Sequence, residues 1–226
     1  MAMSEAGDAA MSERVAEIHR SWRTRPDGDQ IPCPALLCFY NHGLLNPDPQ
    51  GMVTVAELDQ ALATVGVAAA IRGRLTKGAD ETEGTPEKFN LFALRDSKLD
   101  HTGSTGIRDP HVDPAKLDEA LLRHAENGRM YARHFAAAAN AGRQADPGWK
   151  GTVLQTGEFT AILQVFGRLD ESGDRYLTEA DLKSLWIEGR FPAGWVPRPV
   201  EDIGLTSVLT GVGSMLTHRV RQRIGL

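Results

Sequence analysis

At 226 residues and 24.6 kDa the chain has room for one domain, or two small ones, able to enclose a cofactor, and none for a multidomain machine. Its 25 Lys plus Arg stand against 30 Asp plus Glu, a net charge of −5, so it lacks the basic surface with which a nucleic-acid binder neutralises phosphates. Hydrophobic residues at 41% and charged residues at 24% suit a folded globular chain, neither disordered nor membrane-embedded.

The opening MAMSEAGDAAMSERVAEIHRSW carries early acidic residues and no apolar run before a small-residue cleavage site, so an intracellular location is expected. Met11, Val15, Ile18 and Trp22 share one helical face ahead of the polar stretch TRPDGDQ. Residues 1–29 thus read as a helix and linker before a single domain over 30–226. Cys33 and Cys38 lie too close together around Pro34 to start a disulfide framework, and suit a reducing compartment. Pro34 at a first helical position and Gly43 just past the end predict a two-turn helix beginning at Cys33.

Thr54-Val55-Ala56-Glu57 is a capping box leading into LDQALATVGVAAAIRGRL, and Asp113-Pro114 opens a long helix through LDEALLRHAENGRMYARHFAAAANAGR. Residues 73–88 read as a surface loop, and FNLFALRDSKLDHTGSTGIRDPH as too irregular for any regular element. Thr156 to Phe166, Thr178 to Trp186 and Ile203 to Ile224 show helical spacing. No period-2 alternation is sustained, so the expected fold is all-α, a single domain of seven or eight helices.

Pro32-Cys33-Pro34 sets a thiol at a helix start, where free backbone N–H groups and the positive dipole end favour the thiolate, a good iron ligand. The competing reading of an isolated Pro-Cys-Pro is a buried, inert cysteine between turn prolines. Two other stretches imitate calcium loops. Asn46 reaches Glu57 at its twelfth position and Asp170 reaches Asp181 at its own, each with an apolar eighth residue, Val53 or Leu177. The first loop carries two prolines, and the second has Arg175 where glycine makes the turn. Ile203 to Leu216 is too short and too interrupted to span a bilayer. With basic residues after it, this segment could close over its own core, lie on a membrane surface or pack a second copy as a homodimer, and the first is expected.

Taken in order, Pro32-Cys33-Pro34-Ala35-Leu36, Asn41-His42-Gly43 and Thr54-Val55-Ala56-Glu57-Leu58 resemble the proximal segment of the chloroperoxidase and unspecific peroxygenase family of heme-thiolate enzymes. Leu99-Asp100-His101-Thr102-Gly103-Ser104 resembles the family's acidic motif, and Gly157-Glu158-Phe159 its distal acid-base segment; the likeness spans about residues 30 to 195. The family's first Glu is Asp100 here and its following Asp is Thr102, while Leu37 and Cys38 alter the proximal helix.

The resemblance implies heme b with Cys33 as axial iron ligand, a thiolate that pushes electron density toward O–O cleavage. It implies hydrogen peroxide and small organic molecules as substrates, oxidised by oxygen transfer or by one-electron or halide oxidation. Glu158 would shuttle the peroxide proton, with His101 orienting it, and Phe89, Phe92 and Phe159 would supply an apolar wall. Asp100, the carbonyl of His101 and Ser104 would hold a magnesium ion against a heme propionate, more weakly than Glu because Asp is one methylene shorter. His42 is expected to cap or pack in the proximal turn, and His111, His124 and His134 to lie on the surface. The alternatives are an EF-hand-like calcium-binding protein without redox activity and a heme-binding relative with little turnover.

Overall fold

The computed structural model describes residues 13–77, 87–94, 114–141, 148–199 and 203–223. Asp100, His101, Ser104 and His111 lie outside them, as do Met11 and most of the predicted loop 73–88.

Helix α1 covers 13–21, and after a 3-10 turn at Gly28–Gln30 comes α2, Pro34–Asn41, as expected from its Pro and Gly boundaries. Strand β1, Met52–Thr54, runs into α3, Val55–Thr64, through the predicted capping box: Thr54 Oγ1 accepts from Glu57 N at 3.1 Å, and Glu57 Oε2 accepts from Thr54 N at 3.1 Å. The helical reading of LDQALATVGVAAAIRGRL breaks in its middle, where α3 stops and α4, Ala69–Lys77, begins. Gly66 causes the break: its φ is +92°, and a Cβ there would stand 2.8 Å from the carbonyl oxygen of Arg198. The helical content of α4 also displaces the first residues of the predicted loop 73–88.

Strand β2, Lys88–Asn90, pairs antiparallel with β1, setting Val53 opposite Phe89. The apolar start of the segment read as irregular is therefore a strand. Helix α5, Pro114–Ala120, is followed by a 3-10 turn, Leu122–His124, by β3, Arg129–Tyr131, and by α6, Ala132–Ala141. The single long helix expected from Asp113 is thus split. Asn127 at φ 51° and Gly128 at φ 71° make a tight reversal closed by two backbone hydrogen bonds of 3.0 Å between Glu126 and Arg129. Helix α7 is Gly148–Phe166, β4 Arg168–Leu169, and β5 Arg175–Thr178. Helix α8, Glu179–Lys183, begins at a second capping box, Thr178 with Asp181, and widens into a π turn over Ser184–Glu188; α9 is Leu205–Arg223.

The expectation of an all-α chain fails. The described residues hold nine helices and five strands in two small antiparallel sheets, β1-β2 and β3-β5-β4. Each strand has only two to four residues, too few to show a period of two in the sequence. Their work is local: β1-β2 fixes the entry to α3, and the antiparallel β3-β5 pair leads into α6 at one end and α8 at the other. Helix α9 packs across α6 and α7, with Met215 fully buried beneath it. No described helix is long and apolar enough to cross a membrane.

Candidate functional site

Cys33 is the N-cap of α2, in extended conformation at φ −90° and ψ 119°, and its carbonyl accepts the first helical bond, from Leu37 N at 2.9 Å. Its thiol is free and half-buried, at the end of α2 where the unsatisfied N–H groups of the first turn and the positive helix pole gather. Cys38, one and a half turns on, is wholly buried and directs its Sγ at the carbonyl of Leu185, 3.9 Å away. Burial, reinforced by the nearby Cys33 sulfur, holds the Cys38 thiol protonated far above the ordinary range. The two cysteines are therefore chemically distinct, and only Cys33 combines a helix start with access.

The other end of α2 is fixed by side chains that reach far along the chain. Asn41 Nδ2 donates to the carbonyls of Glu188 (3.3 Å) and Gly189 (3.2 Å), at the close of the π turn. His42, 3% exposed, donates from Nδ1 to the Ile18 carbonyl (2.7 Å) and accepts at Nε2 from Phe191 N (3.1 Å). These two bonds require one neutral tautomer, protonated on Nδ1. Its ring stacks on Phe191, with centroids 4.1 Å apart and planes at 9°. Burial is the largest influence on His42 and lowers its pKa to about 4; the charges of His19 and Arg190 act the same way, against the Ile18 carbonyl. Arg25 adds a third tie, donating to the carbonyls of Tyr40 (2.8 Å) and Leu45 (2.9 Å) while lying over the Tyr40 ring.

Gly189 is the counterpart of this clamp. Its φ is +55°, and a Cβ would stand 2.5 Å from both Asn41 Nδ2 and Leu37 Cγ. Gly189→Ala is expected to destabilise the fold by about 2–4 kcal/mol, because it adds left-handed strain to overpacking against α2. An unchanged urea midpoint would show that α2 does not depend on this approach.

Glu158 lies on α7 between Gly157 and Phe159; the residue is half-buried and its Oε2 is shielded from solvent. On the core side of the same stretch Thr156 is fully buried, and Phe159 and Thr160 are each 2% exposed. Phe159 packs on Phe135 of α6, with ring centroids 5.0 Å apart. Phe89 is 1% exposed, whereas Phe92 is half-buried and meets Tyr40 of α2 edge-on at 5.7 Å. Phe92 thus joins the proximal helix directly, and Phe89 and Phe159 belong to the buried core. Asp100, His101 and Ser104, the remaining predicted site residues, are among those outside the described residues.

In both calcium-like loops the closing carboxylate is engaged. Glu57 serves the Thr54 cap, and Asp181 is held by Arg168 through two bonds of 2.8 Å and by Thr178 N at 3.0 Å. Burial opposes ionisation of Asp181, yet Arg168 and Thr178 hold its carboxyl below the usual range. Both carboxylate oxygens of Asp181 are therefore already bonded to a guanidinium. Among the described residues no three His, Cys, Asp or Glu side chains gather as a metal-holding group. His134, expected on the surface, is tucked against the start of α6, where its Nδ1 accepts from Tyr131 N at 3.2 Å.

The sequence reading missed Asn41, Arg25 and Gly189 as the supports of α2. Asn41 and Gly189 are separated by 148 positions, so no local pattern links them. No protein-family model matches the chain, and no curated protein matches it significantly.

Proposed function

We propose that the protein is a heme-thiolate peroxygenase or peroxidase that uses hydrogen peroxide to oxidise small organic substrates. The observation that carries this reading is Cys33: a free, accessible sulfur at the N-terminus of a helix whose far end is clamped by Asn41, His42 and Gly189. The donor chemistry fits heme iron, because a thiolate needs an electropositive, positioned and accessible setting. Cys38, sealed and protonated, does not offer it.

Bound through Cys33, heme b would supply peroxide-driven oxygen transfer or one-electron oxidation, including that of halides. The chain's own part is to hold the sulfur in place at the start of α2. Glu158 accepts a proton from hydrogen peroxide and returns it to the departing oxygen, ending as it began. A carboxylate with one oxygen shielded from bulk water suits a proton carried between two atoms of one small molecule. Phe92, beside α2, helps exclude water. His101 is assigned to orient Glu158, and Asp100, His101 and Ser104 to hold a magnesium ion. Hemin titration tests the proposal: one equivalent should bind, and the reduced carbonyl complex should show a thiolate-type Soret band. A histidine-type band, or no binding, would contradict it.

A further inference from the structure

Away from Cys33, a cavity of about 390 Å³ opens between α6, α7, α9 and the turn at Gly173 to Arg175. Its floor is apolar, made by Leu163 (4% exposed) and the fully buried Met215. Its walls include Arg133, Arg175, whose Nη1 donates to the Gly167 carbonyl at 2.8 Å, and His218, with one carboxylate residue, Asp174. Thr160 lines it as well, and its buried Oγ1 has no hydrogen-bond partner among the described residues. We propose that this cavity binds a small organic carboxylate, its acid group between Arg133 and His218 and its apolar body over Leu163 and Met215.

The charge pattern selects an anion. Arg133 is exposed, and its guanidinium donates to Glu126 Oε2 at 2.8 Å and to His134 Nε2 at 3.1 Å while lying over the Tyr131 ring, so a bound anion competes with these partners for it. His218 faces Arg133 from α6, Arg221 from its own helix and Asp174 from the turn. Burial, then Arg221 and Arg133, push its pKa down, and Asp174 opposes them. The site thus favours neutral His218 when empty, and a bound carboxylate reverses that preference. The apolar floor separates an organic acid from an inorganic oxyanion, which would gain nothing from Leu163 and Met215.

Calorimetry on the protein as purified, with benzoate, benzamide and inorganic phosphate as probes, tests this. Benzoate should bind saturably, and near pH 6 the dependence of its enthalpy on the buffer should report proton uptake. The uptake should vanish in His218→Gln. Arg133→Gln should weaken benzoate about tenfold or more, the loss of one charge-assisted bond. Glu126→Gln, which frees Arg133 of its competing carboxylate, should strengthen it. Both positions are on exposed side chains, so these variants are expected to fold. Equal binding of benzamide, tighter binding of phosphate than benzoate, or an isotherm unmoved by Arg133→Gln would overturn the proposal.

Discussion

Glu158→Gln is expected to retain the heme-thiolate spectrum and to lose peroxide turnover by about 10²–10⁴-fold, the range that a positioned acid-base group contributes. The amide keeps the shape of the carboxyl and cannot accept and return a proton, so the loss should fall on kcat for peroxide, with organic-substrate affinity little changed. Glu158 lies on α7, half-buried and with Oε2 shielded. Stopped-flow mixing with hydrogen peroxide reads the effect directly. Turnover within a few-fold of the parent protein would remove Glu158 from the chemistry, and a larger loss in His101→Gln than in Glu158→Gln would exchange their roles.

Acid should release the helix that carries Cys33. His42 is neutral in the fold, with its pKa lowered from 6.5 to about 4. The unfolded chain therefore binds a proton that the folded chain refuses between these two values, and stability falls as pH falls. The contribution of His42 is complete above about pH 6.5, declines through the window to pH 4 and is then lost, a change of about 3 kcal/mol. Protonation puts a hydrogen on Nε2, where Phe191 N already donates, so the bond from the Phe191 segment becomes a repulsion. Because His42 ties α1, the Phe191 segment and the end of α2 together, a shift in the spectrum of the hemin-reconstituted protein should accompany the loss if Cys33 is the proposed iron ligand. Urea unfolding of the parent and of His42→Gln, at pH 7.5 and 5, measures this. The variant should be less stable at pH 7.5 and show a shallower pH slope; equal slopes would assign the acid sensitivity to other groups.

What was legible in the sequence was what is local. The boundaries of α2 follow from Pro34 and Gly43, and the starts of α3 and α8 from Thr54 with Glu57 and Thr178 with Asp181, each a pattern within a few residues. The reversal at Asn127-Gly128 was also local, and was read through as helix because the alanine-rich periodicity on its far side continues into α6. Strands of two to four residues carry no periodicity; at the starts of α3 and α8 the chain beside them also accepts a helix-start N–H, Val55 N to the Glu87 carbonyl at 2.9 Å and Glu179 N to the Gly128 carbonyl at 3.2 Å. In the candidate site the helix start at Cys33 was legible from its prolines, and burial separates Cys33 from Cys38. The clamp on α2 was not, because Asn41, His42, Ile18, Gly189 and Phe191 meet only after the chain has returned from the far end of the fold.

The most direct measurement of the central claim is the reduced carbonyl spectrum of hemin-reconstituted Cys33→Ala beside Cys38→Ala. Cys33 is free and accessible at the helix start, and Cys38 is buried against Leu185. Cys33→Ala should therefore lose the thiolate-type Soret band while Cys38→Ala keeps it; a band that survives in Cys33→Ala, or disappears only in Cys38→Ala, would contradict Cys33 as the iron ligand.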